Sequence, residues 1–160
     1  MNLPFDFNYY LKKGIVKKVS PDISRASFLL EESKKSFEGL KKRINKMGID
    51  EFSSNSIVKD IHDTIIQSIH SKMLTRGFSA SGNYSHEAEV AYMKELGFSE
   101  SEIFFMNKLR ISRNGINYYG KIFEKEYANE CYDFLLSISK KLIYNLIQKN
   151  NANPQMIIVI

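Results

Sequence analysis

Between Ile23 and Met47 the apolar or small positions fall at Ile23, Ala26, Leu30, Ser33, Phe37, Leu40, Ile44 and Met47, in steps of three and four. That spacing marks one stripe of a helix, because a half-buried strand alternates every second residue. Ser20 can cap this element, and Pro21 at its first position gives up no needed N–H. Gly48 suits a left-handed C-terminal cap. A long helix is predicted over 21–47. A second stripe, Val58, Ile61, Ile65, Ile69 and Met73, opens after Ser53-Ser54 and stops at Gly77, predicting a helix over 54–76. Ser85 caps a short third helix over 85–96, with Glu87 where the helix dipole favours an acid. Ser99 and Glu102 form a capping-box pattern for a fourth over 99–114. Gly115 and Gly120 then break the chain around Tyr118-Tyr119. A last helix is predicted over 121–149, with Tyr127, Cys131, Phe134, Leu135, Ile138, Leu142 and Leu146 inward.

The remaining segments lack such a stripe. The first nineteen residues mix aromatic, polar and basic groups around Pro4 and Gly14. Ile15–Val19 has the makings of a short strand, but the segment reads as an irregular arm whose aromatics pack on the body. Phe78–Tyr84, with Gly82 and Asn83, reads as a loop. The tail Met156–Ile160 is apolar and β-branched, compatible with a strand, a packing arm or a partner contact. The pattern predicts an all-α protein: an antiparallel bundle of about five helices over 21–150, with an arm at 1–20 and a tail at 151–160.

Composition narrows the class. The 160 residues include eight Gly and three Pro, which excludes a collagenous or proline-rich chain. The apolar runs are too short to cross a bilayer, and Met1–Lys18 shows no secretory signal core. One cysteine, Cys131, cannot form an internal disulfide, and a reducing, cytoplasmic setting is expected. Lys and Arg number 23 against 18 Asp and Glu, a formal charge of +5. The basic residues come in scattered pairs, which fits either a solvated helical surface or a surface for polyanions.

Most catalytic schemes have no foothold. There is no zinc-finger spacing, no P-loop, no dinucleotide fingerprint and no G-x-S-x-G. Asp63 and His70 share a helix face but lie about 10 Å apart along its axis, so hydrogen bonding between helices is expected there rather than metal ligation. No metal site and no cofactor is expected.

The stretch with most chemistry is Leu109–Gly120. Arg110 and Arg113 can project from one helix face, Asn114 stands beside them, and Tyr118 and Tyr119 offer ring faces and hydroxyls. Guanidinium forks bind phosphate bidentately and aromatic faces stack on bases. The residues also allow a purely structural reading, with Arg113 bonded to helix carbonyls and the two tyrosines in the core.

Arg113-Asn114, followed by a short spacer and an aromatic residue between two helices, resembles the motif of the HEPN domain family. In that family an Arg is followed by a polar residue and, after a spacer of four to six residues counted from the Arg, a His. The stretches Met73-Leu74-Thr75-Arg76-Gly77-Phe78, Tyr84-Ser85-His86-Glu87-Ala88 and Leu96-Gly97-Phe98 look like archaeal members, and the resemblance covers residues 22 to 148. It implies an antiparallel bundle, usually a homodimer in which two motifs face one cleft. It also implies either a metal-independent ribonuclease, often a toxin paired with a nucleotidyltransferase-fold antitoxin, or a non-catalytic RNA or nucleotide binder. Arg113 matches the family Arg and Asn114 the polar residue. Tyr118 stands where the family has His, and a phenol titrating near 10 is a poor base at neutral pH. His86, outside the motif, is the first substitute, although a helix-start surface residue is the plainer reading. The resulting expectation is RNA or nucleotide binding through Arg110, Arg113, Tyr118, Tyr119 and His86. Catalysis by Arg113, Asn114 and Tyr118 is expected to be weak or absent. An active ribonuclease toxin and a helical protein-interaction module are the alternatives.

Overall fold

The computed structural model describes residues 2–144. They form α1 (Phe7–Lys12), β1 (Val16–Lys18), α2 (Ile23–Met47), α3 (Ser54–Thr75), β2 (Phe78–Ala80), α4 (Ser85–Tyr92), α5 (Glu100–Tyr119) and α6 (Lys125–Ser139). A π-helical turn, Lys140–Tyr144, continues α6. The chain is mostly helical, as the stripes predict. The apolar tail and the predicted end of the last helix, 145–149, lie outside the described residues.

Helix α3 is the axis of the fold. Fourteen of its 22 residues are buried, far more than one stripe. The stripe Val58, Ile61, Ile65, Ile69 and Met73 meets α5 and α6, whose own buried positions include Met106, Leu109, Cys131, Leu135 and Ile138. On the α2 side small hydroxyls join the buried apolar residues Ala26, Leu30, Phe37 and Leu40. The Ser33 hydroxyl donates to the Thr64 carbonyl at 2.9 Å and lies 2.6 Å from the Ser68 hydroxyl. Ser71 donates to the Ala26 carbonyl at 2.6 Å. Side chains this small let two backbones approach closely, and each hydroxyl has a partner, so burial leaves none of these groups orphaned.

The structure departs from the sequence reading at several elements. The arm is not irregular: it holds α1, capped by Asp6, and β1. β1 pairs antiparallel with β2, Val16 opposite Ala80 and Lys18 opposite Phe78, so part of the expected 78–84 loop is a strand. Three-residue strands are too short to show alternation, and their pairing joins segments some sixty residues apart, which no local pattern reveals. The cap of α2 is Asp22, whose carboxylate accepts from the Arg25 N–H at 2.9 Å, and not Ser20. Helix α5 runs through Gly115 to Tyr119, beyond the predicted stop at 114. Gly120 (φ 62°), not Gly115, supplies the left-handed turn that ends it, and the Lys121 side chain packs where a Gly115 Cβ would lie. Helix α6 then starts at Lys125 rather than near 121. Asn55 holds the intervening loop extended, donating to the Lys121 carbonyl and accepting from the Phe123 N–H, both at 2.9 Å.

Gly77 joins the end of α3 to the ribbon. Its φ is +78°, and a Cβ there would sit 2.7 Å from the Val19 carbonyl oxygen. Gly77→Ala is expected to lose more stability in urea unfolding than Gly82→Ala. Both share the left-handed backbone cost of about 1–2 kcal/mol, but nothing lies within 4 Å of a Cβ at Gly82.

Candidate functional site

The α5 extension decides the geometry of the Arg-Asn motif. Arg113, Asn114 and Tyr118 all stand on helix, and they face the loop and first turn of α4. A cleft of about 620 Å³ opens between the two, lined by Gly82, Asn83, Tyr84, Ser85, His86 and Glu87 on one side and Arg110, Arg113, Asn114 and Tyr118 on the other. Five of the six candidate residues therefore meet at one place. Tyr119 does not line the cleft. It is 78% exposed beside it, and Tyr118 is 71% exposed, so neither ring belongs to the core.

The two arginines have different situations. Arg110 is largely committed. Its guanidinium donates to Glu87 at 3.0 Å and, through Nε, to the Asn107 side chain at 2.9 Å. Glu87 also accepts the Tyr10 hydroxyl proton at 2.6 Å, and Asn107 donates to the Asn2 carbonyl at 2.8 Å. Burial, reinforced by that carboxylate, raises the Tyr10 phenol far above its ordinary range. The N-terminal segment thus locks Arg110 into the wall. Arg113 is held more loosely. Its Nε lies 3.4 Å from an Asp63 oxygen, is shielded from solvent, and makes no hydrogen bond. Asp63 is 57% exposed, and ion pairs open to water in this way are worth about 0–1 kcal/mol.

His86 lines the cleft, and the other two histidines gather behind it. His62 is fully buried on α3, with Nδ1 2.7 Å from Asp63. Its ring packs edge-on against His86, centroids 5.6 Å apart. His86 Nδ1 lies 2.8 Å from one oxygen of Glu89, and His70 Nδ1 lies 2.7 Å from the other. The Glu89 carboxylate is buried. Burial alone pushes its carboxyl up, but the two imidazole hydrogen bonds outweigh that and hold it below the ordinary carboxylate range. Asp63 follows the same rule: burial raises it, the His62 hydrogen bond and neighbouring positive charge win, and the net shift is downward. Ionised carboxylates only accept. Each Nδ1 therefore carries its hydrogen, and in the neutral ring each Nε2 is a bare acceptor. For His62 and His70 that nitrogen is buried without a partner.

Four contributors, Glu89, His62, Asp63 and Tyr84, were not legible in the motif. Glu89 reads as one acid among several on a short helix, and only the fold brings His70 and His86 to its two oxygens. His62 and Asp63 are adjacent in sequence, but nothing local points them at Arg113. Tyr84 lines the cleft with a left-handed backbone, φ 68°, the one described non-glycine residue with positive φ. Such strain persists where surrounding structure enforces it, often at functional sites. Among the described residues no three His, Cys, Asp or Glu side chains converge as metal ligands.

Compared with known proteins, the chain matches no family model, no curated protein and no solved structure. The case for a function therefore stands on the cleft and on the motif residues that line it.

Burial holds the His62 imidazole below its ordinary value of 6.5, against the opposing pull of Asp63. A depressed folded-state value means the unfolded chain takes up the proton first as the pH falls. This contribution to stability is complete above about 6.5 and shrinks as the pH drops through the window below it. His62→Asn keeps a donor for Asp63 and cannot titrate. Urea unfolding over a pH series should show a shallower loss of stability in that variant than in the wild type.

Proposed function

We propose that the cleft binds the phosphate and base of RNA or a nucleotide, as the resemblance to HEPN domains implies. The observation that carries this reading is the loose pairing of Arg113. A guanidinium facing a 620 Å³ cleft, with only a half-exposed carboxylate at 3.4 Å, can exchange that contact for a phosphate. Charge-assisted bonds to phosphate are roughly twice as strong as neutral ones. Asn114 adds an amide at the same wall. Tyr118 and Tyr84 offer exposed ring faces on which a base can stack. Arg110 contributes as a fixed charge in the wall, balanced by Glu87.

The reading extends to a homodimer, and to a nucleotidyltransferase-fold protein as a partner. Tyr119 and Ile122, both exposed next to the motif, give a second copy apolar surface to cover. Light scattering at micromolar concentration tests this directly, and a monomer there removes the dimer from the reading. No described helix is long and apolar enough to cross a membrane.

Arg113→Ala should weaken binding of a fluorescent single-stranded RNA by about 1.5–3 kcal/mol, the range for hydrogen bonds to charged groups. The slope of affinity against salt should also become shallower, because one phosphate contact is lost. Unchanged affinity in this variant places the site elsewhere.

A further inference from the structure

We infer that the N-terminal arm carries a second base-binding site beside the cleft, where the Phe5 ring stacks on a base of a single-stranded nucleic acid and Lys13 meets its phosphate. The inference rests on the binding reading above and makes the ligand a strand of several nucleotides instead of a lone nucleotide. Phe5 is 61% exposed, and its neighbour Tyr9 is exposed as well. Their ring centroids lie 4.4 Å apart, with the planes tilted by 32°. Tyr9 is braced in turn by Tyr10, edge-on at 5.3 Å. The three rings form a short stack that starts in the core at Tyr10 and ends in solvent at Phe5. Single exposed apolar residues call for no explanation, but a braced pair beside a binding cleft is a stacking platform.

The platform is fixed to the cleft wall. The Phe5 N–H donates to the Tyr10 hydroxyl at 3.2 Å, and that hydroxyl donates to Glu87, which lines the cleft, at 2.6 Å. Two hydrogen bonds therefore separate Phe5 from the lining. The Asn2 carbonyl accepts from Asn107, and Asn107 holds Arg110. Asp6 caps α1 directly after Phe5, accepting from the Asn8 N–H at 3.0 Å. A ring positioned in advance by these contacts loses little freedom when a ligand arrives. A strand whose phosphate meets Arg113 and whose base lies on Tyr118 or Tyr84 can continue past Glu87 onto Phe5.

The charge of the arm suits the same ligand. Residues 2–20 contain Lys12, Lys13, Lys17 and Lys18 and one acid, Asp6. All four lysines are exposed. Asp6 is occupied by the α1 cap and by Lys94 at 3.7 Å. The Lys13 ammonium stands 5.8 Å from the Tyr9 ring centroid, so a cation flanks the stack. Ring faces for bases beside cations for the backbone are the means by which proteins hold single strands, and such stacking is tolerant of sequence because every base has a π-face. An anionic lipid surface would answer the charge, but it would leave the link to the cleft without a purpose.

The test uses the whole chain and isothermal titration with two probes, adenosine monophosphate for the cleft and an oligo-A pentamer for cleft and arm together. The pentamer should bind more tightly than the mononucleotide. Phe5→Ala should lower pentamer affinity about 5- to 150-fold, the range for one base stacked on an aromatic ring, with mononucleotide affinity unchanged. Phe5→Leu keeps an apolar side chain without a π-face and should lose the same gain, while Phe5→Trp should keep it. Lys13→Ala should make the salt dependence of pentamer binding shallower by about one phosphate contact. Circular dichroism of each variant checks the fold, and the Leu and Trp exchanges replace Phe5→Ala if it unfolds. Equal affinity for the two probes, or a length gain that survives both Phe5→Ala and Phe5→Leu, overturns this inference and leaves the cleft reading standing. Pentamer binding that needs Phe5 but is indifferent to Arg113→Ala overturns the cleft reading and with it the continuous path. Binding to phosphatidylserine vesicles that is lost in Phe5→Ala, with no length gain on the oligomer, assigns the arm to a lipid surface and also overturns the inference. Failure to bind either probe overturns both.

Discussion

A helix with two thirds of its residues out of water is held in place by the partners its buried polar groups find, and α3 carries many such groups. Thr64, Ser68 and Ser71 meet Ser33 and Ala26 on α2, His62 meets Asp63, and His70 meets Glu89. An unpaired buried polar group costs about 1–3 kcal/mol, so the positions of α2 and α4 follow from these pairings as much as from apolar burial. The apolar stripe chooses the side on which α5 and α6 lie. The hydroxyls and imidazoles set the register of α2 and α4 along the axis. The cleft inherits that register, because α4 brings His86 and Glu87 opposite the end of α5.

The same pairings order the chemistry. Two carboxylates, Asp63 and Glu89, dictate where the hydrogens sit on three imidazoles. The buried Glu89 is held below its ordinary range by the two imidazoles it serves, and the half-exposed Asp63 by His62 and the positive charge nearby. The cleft thus has one arginine locked and one loose, with one imidazole open and two enclosed. Elements far apart in sequence produce that division of roles, and no single segment contains it.

How much of this was legible in the sequence depended on the length of the signal. Helices α2 and α3 show many turns of a three-and-four stripe and were readable almost to their ends. The ribbon was not readable, since three residues per strand leave no period and the partner strand is remote. The stop of α5 was misplaced because two glycines compete for it, and the choice lies with a Lys121 side chain packed on Gly115 and a loop held by Asn55. Arg113, Asn114 and Tyr118 stood out as a cluster, and His86 as a remote substitute. What the sequence concealed was pairing: that Arg110 is spent on Glu87, and that one buried acid serves two histidines.

The chain Asn2–Asn107–Arg110–Glu87–Tyr10 has a meaning for descent as well as for geometry. A phenol, a carboxylate and a guanidinium from three distant stretches satisfy one another in the cleft wall. Loss of the Tyr10 hydroxyl leaves Glu87 with one partner fewer, and loss of Glu87 leaves Arg110 without a carboxylate, a cation that competes with Arg113 for the same anion. Substitutions at these positions are therefore tolerated together or not at all. In related chains they should appear as a linked set, with the N-terminal tyrosine kept or discarded in step with the acid and the arginine.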